Sequence, residues 1–343
     1  MSERHEHTIS VVIPVYRGER TLPAVIDELV PYTQGFQTPD GSSARITEVI
    51  LAYDRGPDRS DLVLRRLAQQ HTFIKVVWLS RNFGQHAATL AGIASSGGDW
   101  IVTVDEDGQQ DPAFISAMLD TAIRDAAEVV YAKPTNKPPH GVVRNAASRA
   151  AKRILQSIFG SGNASEFNSF RLILGEIGRS VAAYTGTGVY LDVALTWVAN
   201  RQVTCDVTLR EEGDRPSGYS YTRLLGHFLR MVLSTGTKGL RLVTILGAIF
   251  AIAGVLFAVY LIIARIVSGD VPEGWTSQMV VTALGVGAIL VSLGIVAEYL
   301  GVAVNMAMGK PPYLIVRDPA DSPLAHRPDV PARRPDVPQH DDA

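Results

Sequence analysis

The stretch Trp100–Phe114, WIVTVDEDGQQDPAF, decides how the chain is read. An apolar, β-branched run ends abruptly in Asp105 and Asp107, a glycine turn follows, and Asp111-Pro112 has the form of a helix start, Asp111 capping what Pro112 begins. A strand followed at once by a helix is half of an alternating unit, and the flanking sequence repeats it. Upstream, strands are predicted at Ile9–Tyr16, Ile46–Asp54 and Ile74–Ser80. Helical spacing follows them at 21–32, Ser60–Gln70 and His86–Ser95. Downstream, a helix over Pro112–Ile123 precedes a fifth strand, Glu128–Lys133. Near-continuous apolar strands alternating with helices imply an α/β fold, a mostly parallel sheet with helices on both faces.

Ligands of open α/β sheets bind beyond the carboxyl ends of the strands. Four such ends here carry polar groups: Pro14-Val15-Tyr16, Asp54, Arg81-Asn82 and Asp105/Asp107. Paired carboxylates are hard oxygen donors, suited to Mg²⁺ or Mn²⁺, ions commonly held by one or two carboxylates plus substrate phosphates. The competing reading of the pair is a solvated acidic turn.

The chain has 343 residues, 46% hydrophobic and 19% charged, with a net charge of −2 and one cysteine, Cys205. No global basic field points to nucleic acid, and no intrachain disulfide is possible. The mean hydropathy, +0.12, is raised by two uncharged runs, Leu242–Ala264 and Met279–Ala297. About 20 apolar residues span a bilayer, so a two-helix transmembrane hairpin is predicted, with helices at about 242–264 and 279–300. Arg223, Arg230, Lys238 and Arg241 precede it and Lys310 and Arg317 follow it, whereas the connecting loop holds only Arg265. By the positive-inside rule the large N-terminal domain and both termini are expected on the cytoplasmic side. Residues 221–240 include apolar positions 224, 225, 228, 229 and 232 beside Arg223, His227 and Arg230, the pattern of a helix lying in the membrane interface. The expected division is therefore a domain over 1–220, an interface region over 221–240, a hairpin over 241–305 and a tail over 306–343. The tail repeats RPDVP and is read as disordered from about 318.

Taken in order, VVIPVYRGERTLP, YDRGPDRS, LSRNFGQHAATLAG and VDEDGQQDP resemble a family 2 glycosyltransferase of the GT-A fold. With the apolar runs, SFRLI, YLDVALTW, REEGDRPSGYSYTRLL, AEYLG and KPPYLIV narrow the resemblance to polyprenyl-phosphate glycosyltransferases, closest to the formamido-arabinose transferase branch. The resemblance implies a bacterial inner-membrane enzyme taking a nucleotide-sugar donor and a polyprenyl phosphate acceptor, with Mg²⁺ or Mn²⁺ as cofactor and a homo-oligomer as one possible assembly. It implies nucleotide-sugar contacts at Pro14, Tyr16, Asp54, Arg81, Asn82, Asp105 and Gln109, and a metal site at Asp105 and Asp107. Tyr53 departs from the acidic pair of the base-contacting motif. Ser169 stands where several relatives carry an aspartate proposed as a base, with Glu166 out of register and Asp192 a second acidic candidate.

The acceptor phosphate calls for positive charge, since guanidinium groups match phosphate oxygens. Lys133, Arg144, Arg171 and Arg215 are the candidates, with Arg171 and Arg215 set beside Asp105, Asp107 and Asp192 as catalytic. Competing functions are a processive polysaccharide synthase, which calls for more spans and a Gln-x-x-Arg-Trp motif that this sequence lacks, a membrane-tethered nucleotide-binding protein without turnover, and a transporter.

Overall fold

The computed structural model describes residues 6–135, 167–186, 189–210 and 274–323, together with 247, 249–250, 252–257, 259–260 and 263. Chain order runs β1 (His7–Val15), α1 (Leu22–Leu29), β2 (Phe36–Gln37), β3 (Ser43–Tyr53), α2 (Ser60–Gln70), β4 (Ile74–Leu79), α3 (Gln85–Ala94) and β5 (Trp100–Thr103). It continues with α4 (Phe114–Asp125), β6 (Val129–Pro134), β7 (Arg171–Leu174), α5 (Gly175–Tyr184), α6 (Leu191–Val198), β8 (Gln202–Val207), α7 (Trp275–Ala307) and β9 (Ile315–Val316). All five predicted strands and the four helices between them are present, with ends moved by a few residues.

The strands lie in the order β8-β6-β7-β5-β1-β3-β4-β9, with β2 paired to β3 outside that path. Side chains alternate between the two faces, as the pleat requires. Val11, Ile13 and Val15 of β1 join Val49, Leu51 and Tyr53 of β3 in one core, which receives Leu22, Ile26, Leu64 and Ile115 from α1, α2 and α4. Val12, Ile50 and Ala52 face the other core, with Leu90 and Ile93 of α3, Val181 of α5 and Leu195 of α6. Both faces are thus covered, which is why the strands read as unbroken apolar runs. The packing of α3 is close: a Cβ on Gly92 would lie 2.4 Å from Val12 Cγ1.

The sheet is less parallel than its sequence implies. The pairs β5–β1, β1–β3, β3–β4 and β6–β8 are parallel. β7, however, lies antiparallel between β5 and β6. Its four residues begin inside the SFRLI segment and are buried on both faces, so no alternation marks them as a strand. The antiparallel direction brings Arg171, its first residue, opposite Thr103, the last residue of β5. A polar end of β7 is thereby delivered to the carboxyl end of the parallel strands.

Beyond β8, α7 is a 33-residue helix of which Leu284–Ala307 is long and apolar enough to cross a membrane, with a mean hydropathy of 2.0 and no buried residue in that stretch. Among the described residues it is the one such helix. The described positions between 247 and 263 are helical and expose Ile249, Leu256 and Tyr260. The rest of the first apolar run, the predicted interface region and the end of the tail lie outside the described residues.

After α7 the chain returns to the sheet. β9 pairs antiparallel with the outer edge of β4, and Leu314 O accepts a hydrogen bond from Ser80 N at 2.9 Å. Asp318 receives Arg65 Nε and Nη2, both at 2.8 Å, and Arg65 stacks over the Trp78 ring at 4.9 Å. Residues 318–321, where disorder of the tail was expected to begin, are held by this pair and by the short 3-10 turn Pro319–Asp321. A bidentate partner on α2 was not visible to a reading of local composition.

Candidate active site

The carboxyl ends of β1, β3, β4 and β5 lie side by side in the sheet, as the polar strand ends require. A cleft of about 370 Å³ opens there, lined by Gln85, His86 and Thr89 of α3, Asp105, Phe167–Ser169, Arg171, and Tyr190, Asp192 and Val193 at the start of α6.

Asp105 forms its floor. Its Oδ2 accepts the Ser169 hydroxyl in a short hydrogen bond and Gln110 Nε2 at 2.9 Å, and its Oδ1 accepts Gln85 Nε2 at 2.7 Å. Gln110, 6% exposed, also accepts the Asp105 backbone N–H at 2.9 Å and donates to Ser169 Oγ at 3.0 Å. Burial raises the Asp105 carboxyl above its ordinary value; the Ser169 hydroxyl works against the rise and the neighbouring Asp107 charge adds to it. Three donors around one carboxylate fix it in direction. Ser169, the departure at the expected base position, is thus a donor that orients Asp105.

Arg171 and Asp192 form an ion pair at the back of the cleft, with 4% and 13% of their side chains exposed. Arg171 Nε also donates to Thr103 Oγ1 at 3.1 Å. Burial opposes the Arg171 charge, and the facing Asp192 more than offsets this. Arg171, Asp192 and Asp105 are brought together. Because Asp192 is committed to Arg171, the pair is a fixed dipole rather than a free cation beside a free base. His86 packs edge-on against Tyr190, with centroids 4.3 Å apart, and closes one wall.

Asp107 is exposed on the turn beyond, its Oδ1 accepting Gln109 N at 3.1 Å. Asp54, the expected base contact, lies just beyond β3. It is 3% exposed, and its two oxygens accept Phe83 N at 2.7 Å and Gly84 N at 2.8 Å. Burial raises its carboxyl even though both amides pull it down. It ties the end of β3 to the loop before α3, where Gly84 holds a φ of +92°. Arg81 and Asn82 are exposed on that loop; Arg81 stacks over Phe83 at 4.5 Å, and Asn82 Oδ1 accepts Gly84 N at 3.0 Å. Pro14 is buried within β1, and Tyr16 is exposed on the loop that follows it. Lys133 is exposed at the end of β6 and is not among the cleft-lining residues. Arg144 and Arg215 lie outside the described residues.

Sequence reasoning missed Gln85, His86, Tyr190, Gln110 and Arg210. Arg210 joins the turn to the start of the next segment: its N–H donates to Gln109 O at 2.9 Å, Nη1 reaches Glu28 at 2.7 Å and Nη2 lies 3.1 Å from Asp111. The adjacent glutamines of GQQDP were visible, but which one turns inward is set by the turn at Gly108, whose φ is +76°.

The chain is 26% identical to the undecaprenyl-phosphate 4-deoxy-4-formamido-L-arabinose transferase of Photorhabdus laumondii subsp. laumondii, covering 94% of this chain and 97% of that protein. The proteins of the same name from Klebsiella pneumoniae (strain 342) and Yersinia pestis (strain Pestoides F) are 28% and 29% identical, each over 90% of this chain and 93% and 92% of their own. Among solved structures, glucosyl-3-phosphoglycerate synthase from Mycobacterium tuberculosis, in complex with phosphoglyceric acid, superposes with a TM-score of 0.48 at 20% identity, over 68% of this chain and 80% of that one. The family description "Glycosyl transferase family 2" matches residues 10–183, half of the chain. The chain belongs to glycosyl transferase family 2.

Proposed function

We propose that the protein transfers a sugar from a nucleotide-sugar donor to the phosphate of a membrane polyprenyl phosphate, with inversion at the anomeric carbon. The observation that carries this reading is the joining, in one family 2 chain, of a cleft floored by an oriented Asp105 to a long helix with an unburied apolar surface. The relatives named undecaprenyl-phosphate 4-deoxy-4-formamido-L-arabinose transferase supply the acceptor class.

Chain tracing supports a membrane hairpin. The domain precedes α7, and β9, which follows it, pairs with that same domain's sheet. A chain that crosses with α7 and ends on the side where it began must cross an even number of times. A second crossing therefore belongs between residues 210 and 275, where the uncharged run 242–264 lies. The flanking basic residues support a cytoplasmic domain.

The residues fit a hard divalent ion. No group of three or more His, Cys, Asp or Glu side chains that could hold one alone is present among the described residues. Exposed Asp107, with Asp105 beside it, offers the two-carboxylate set that Mg²⁺ and Mn²⁺ complete with phosphate oxygens. Such an ion, when bound, would neutralise charge on the departing nucleotide diphosphate. The chain's own residues do the rest. Tyr16, with Arg81 and Asn82, borders the nucleoside side, and Asp54 and Gln109 hold the loops. Ser169, Gln85 and Gln110 keep Asp105 aimed. The acceptor phosphate, with a second pKa of about 6 by analogy to phosphorylated side chains, is itself an anionic nucleophile near neutral pH. It needs cations and orientation, which we assign to Arg215 and Arg144, with Lys133 at the rim and Arg171 acting through its pair with Asp192.

Membranes containing the protein, incubated with labelled nucleotide-sugars and undecaprenyl phosphate, should yield chloroform-extractable label. Label in long polymer would instead favour a processive synthase, and no transfer from any donor would overturn the proposal.

A further inference from the structure

The middle residue of Asp105-Glu106-Asp107 turns away from the cleft that Asp105 lines. Glu106 Oε2 accepts Tyr16 N at 2.9 Å and Arg17 N at 3.1 Å, and Oε1 accepts Arg17 N at 2.9 Å. The contact is close enough that a Cβ on Gly18 would lie 2.9 Å from Glu106 Oε2. The loop after β1 is held on its other side as well. Gly18 N donates to Ser60 Oγ at 2.9 Å, Glu19 N donates to Asp58 Oδ2 at 3.2 Å, and Arg59 N donates to Glu19 Oε2 at 3.1 Å. A Cβ on Gly56 would fall 1.5 Å from Tyr16 O. One carboxylate thus replaces the strand pairing that β1 loses beyond Val15.

We propose that Glu106 is a positioning residue that locks the nucleoside-side loop, Tyr16–Gly18, to the diphosphate-side turn carrying Asp105 and Asp107. The inference rests on the nucleotide-sugar reading above. Glu106 sits between Asp105 and Asp107, yet its oxygens are spent on backbone N–H groups about ninety residues away in sequence. Both ends of a nucleoside diphosphate therefore meet one preformed unit, and binding does not have to order the loop. The role needs an acceptor oxygen, not a negative charge: a single oxygen at the Oε2 position reaches both Tyr16 N and Arg17 N.

That distinction gives the experiment. The full chain in detergent is titrated with UDP, GDP, ADP, dTDP and CMP in the presence of Mn²⁺, following nucleotide affinity and the melting temperature without nucleotide. For whichever nucleotide binds the wild type, Glu106→Ala should weaken affinity about tenfold, the size expected for losing charge-assisted hydrogen bonds to a loop. Glu106→Gln, which keeps one acceptor oxygen, should stay within about threefold. Gly18→Ala, which displaces Glu106 without altering its chemistry, should behave like Glu106→Ala, and this second route holds even if Glu106→Ala melts early. Transfer assays should place the loss in the donor KM, with the acceptor KM unchanged. Equal losses for Ala and Gln would make Glu106 a charge or ion ligand and overturn the positioning role, as would wild-type affinity in both Ala variants. A wild type that binds none of the five nucleotides would overturn the donor reading itself, a different failure from either.

Discussion

Asp54→Asn separates two accounts of a residue whose position suggests a ligand contact and whose surroundings suggest a clamp. In the fold, both Asp54 oxygens accept backbone N–H groups, from Phe83 and Gly84. Asparagine offers one acceptor oxygen and turns an N–H₂ toward the other amide, leaving one buried donor without a partner. That costs about 1–3 kcal/mol. Part is offset, because burial raises the carboxyl and the neutral amide escapes the penalty on the buried charge. A net loss of about 1–2 kcal/mol follows, or roughly 2–8 °C in melting temperature for a domain of this size. The sign of the pH dependence is fixed by the raised pKa. The stability from Asp54 is fully present below its unfolded value, about 4, and is lost as pH rises through the folded one. The variant lacks this slope, so its deficit should be largest on the acid side of neutrality. Melting curves of the detergent-purified chain between pH 5 and 8, with nucleotide titrations at pH 7, provide the assay. An unchanged melting temperature with abolished nucleotide binding would refute the clamp and return Asp54 to the ligand.

Further outcomes test the rest of the site. Asp107→Ala should abolish transfer with no loss of melting temperature, since this exposed carboxylate supports little but its own turn; near-normal rates would count against the two-carboxylate metal site. Asp192→Asn leaves Arg171 buried without its counter-charge and should destabilise the domain by about 3–5 kcal/mol, visible as a large drop in melting temperature. Asp318→Ala should cost about 1 kcal/mol at neutral pH, discounted for partial exposure. Arg65 holds the Asp318 carboxyl below its ordinary value, so this contribution is present above the unfolded pKa and lost as pH falls through the folded one; a double-mutant cycle with Arg65→Ala measures it. Arg215→Ala should raise the KM for undecaprenyl phosphate while leaving the donor KM in place, and unchanged lipid kinetics would remove it from the acceptor site.

Much of the architecture was legible because β1, β3, β4 and β5 are buried on both faces, and continuous burial writes itself into sequence as unbroken Val, Ile and Leu. β7 and β9 were not. Each is short, and each owes its place to a partner strand far away in sequence rather than to its own pattern. At the site, the types of residue at the strand ends were readable but their directions were not. Asp54, Asp105, Glu106 and Asp107 all appear as acids at strand ends, yet one clamps a loop, one floors the cleft, one caps a distant turn and one faces solvent. The first three roles depend on which N–H or hydroxyl arrives from another element: Gly84, Ser169 and Tyr16 decide them, and none is fixed by spacing along the chain.

The strand that completes the sheet beside β4 is made only after the apolar helix before it. While the polypeptide is emerging from the ribosome, β4 presents an open row of backbone donors and acceptors, the kind of edge on which nascent chains aggregate. Closure has to wait until α7 has been synthesised and its end has come back toward the folded domain. Completion of the sheet is thereby scheduled behind synthesis of that helix, so a chain stopped at residue 310 should accumulate as a sticky, unfinished domain even though every residue of its cleft is present.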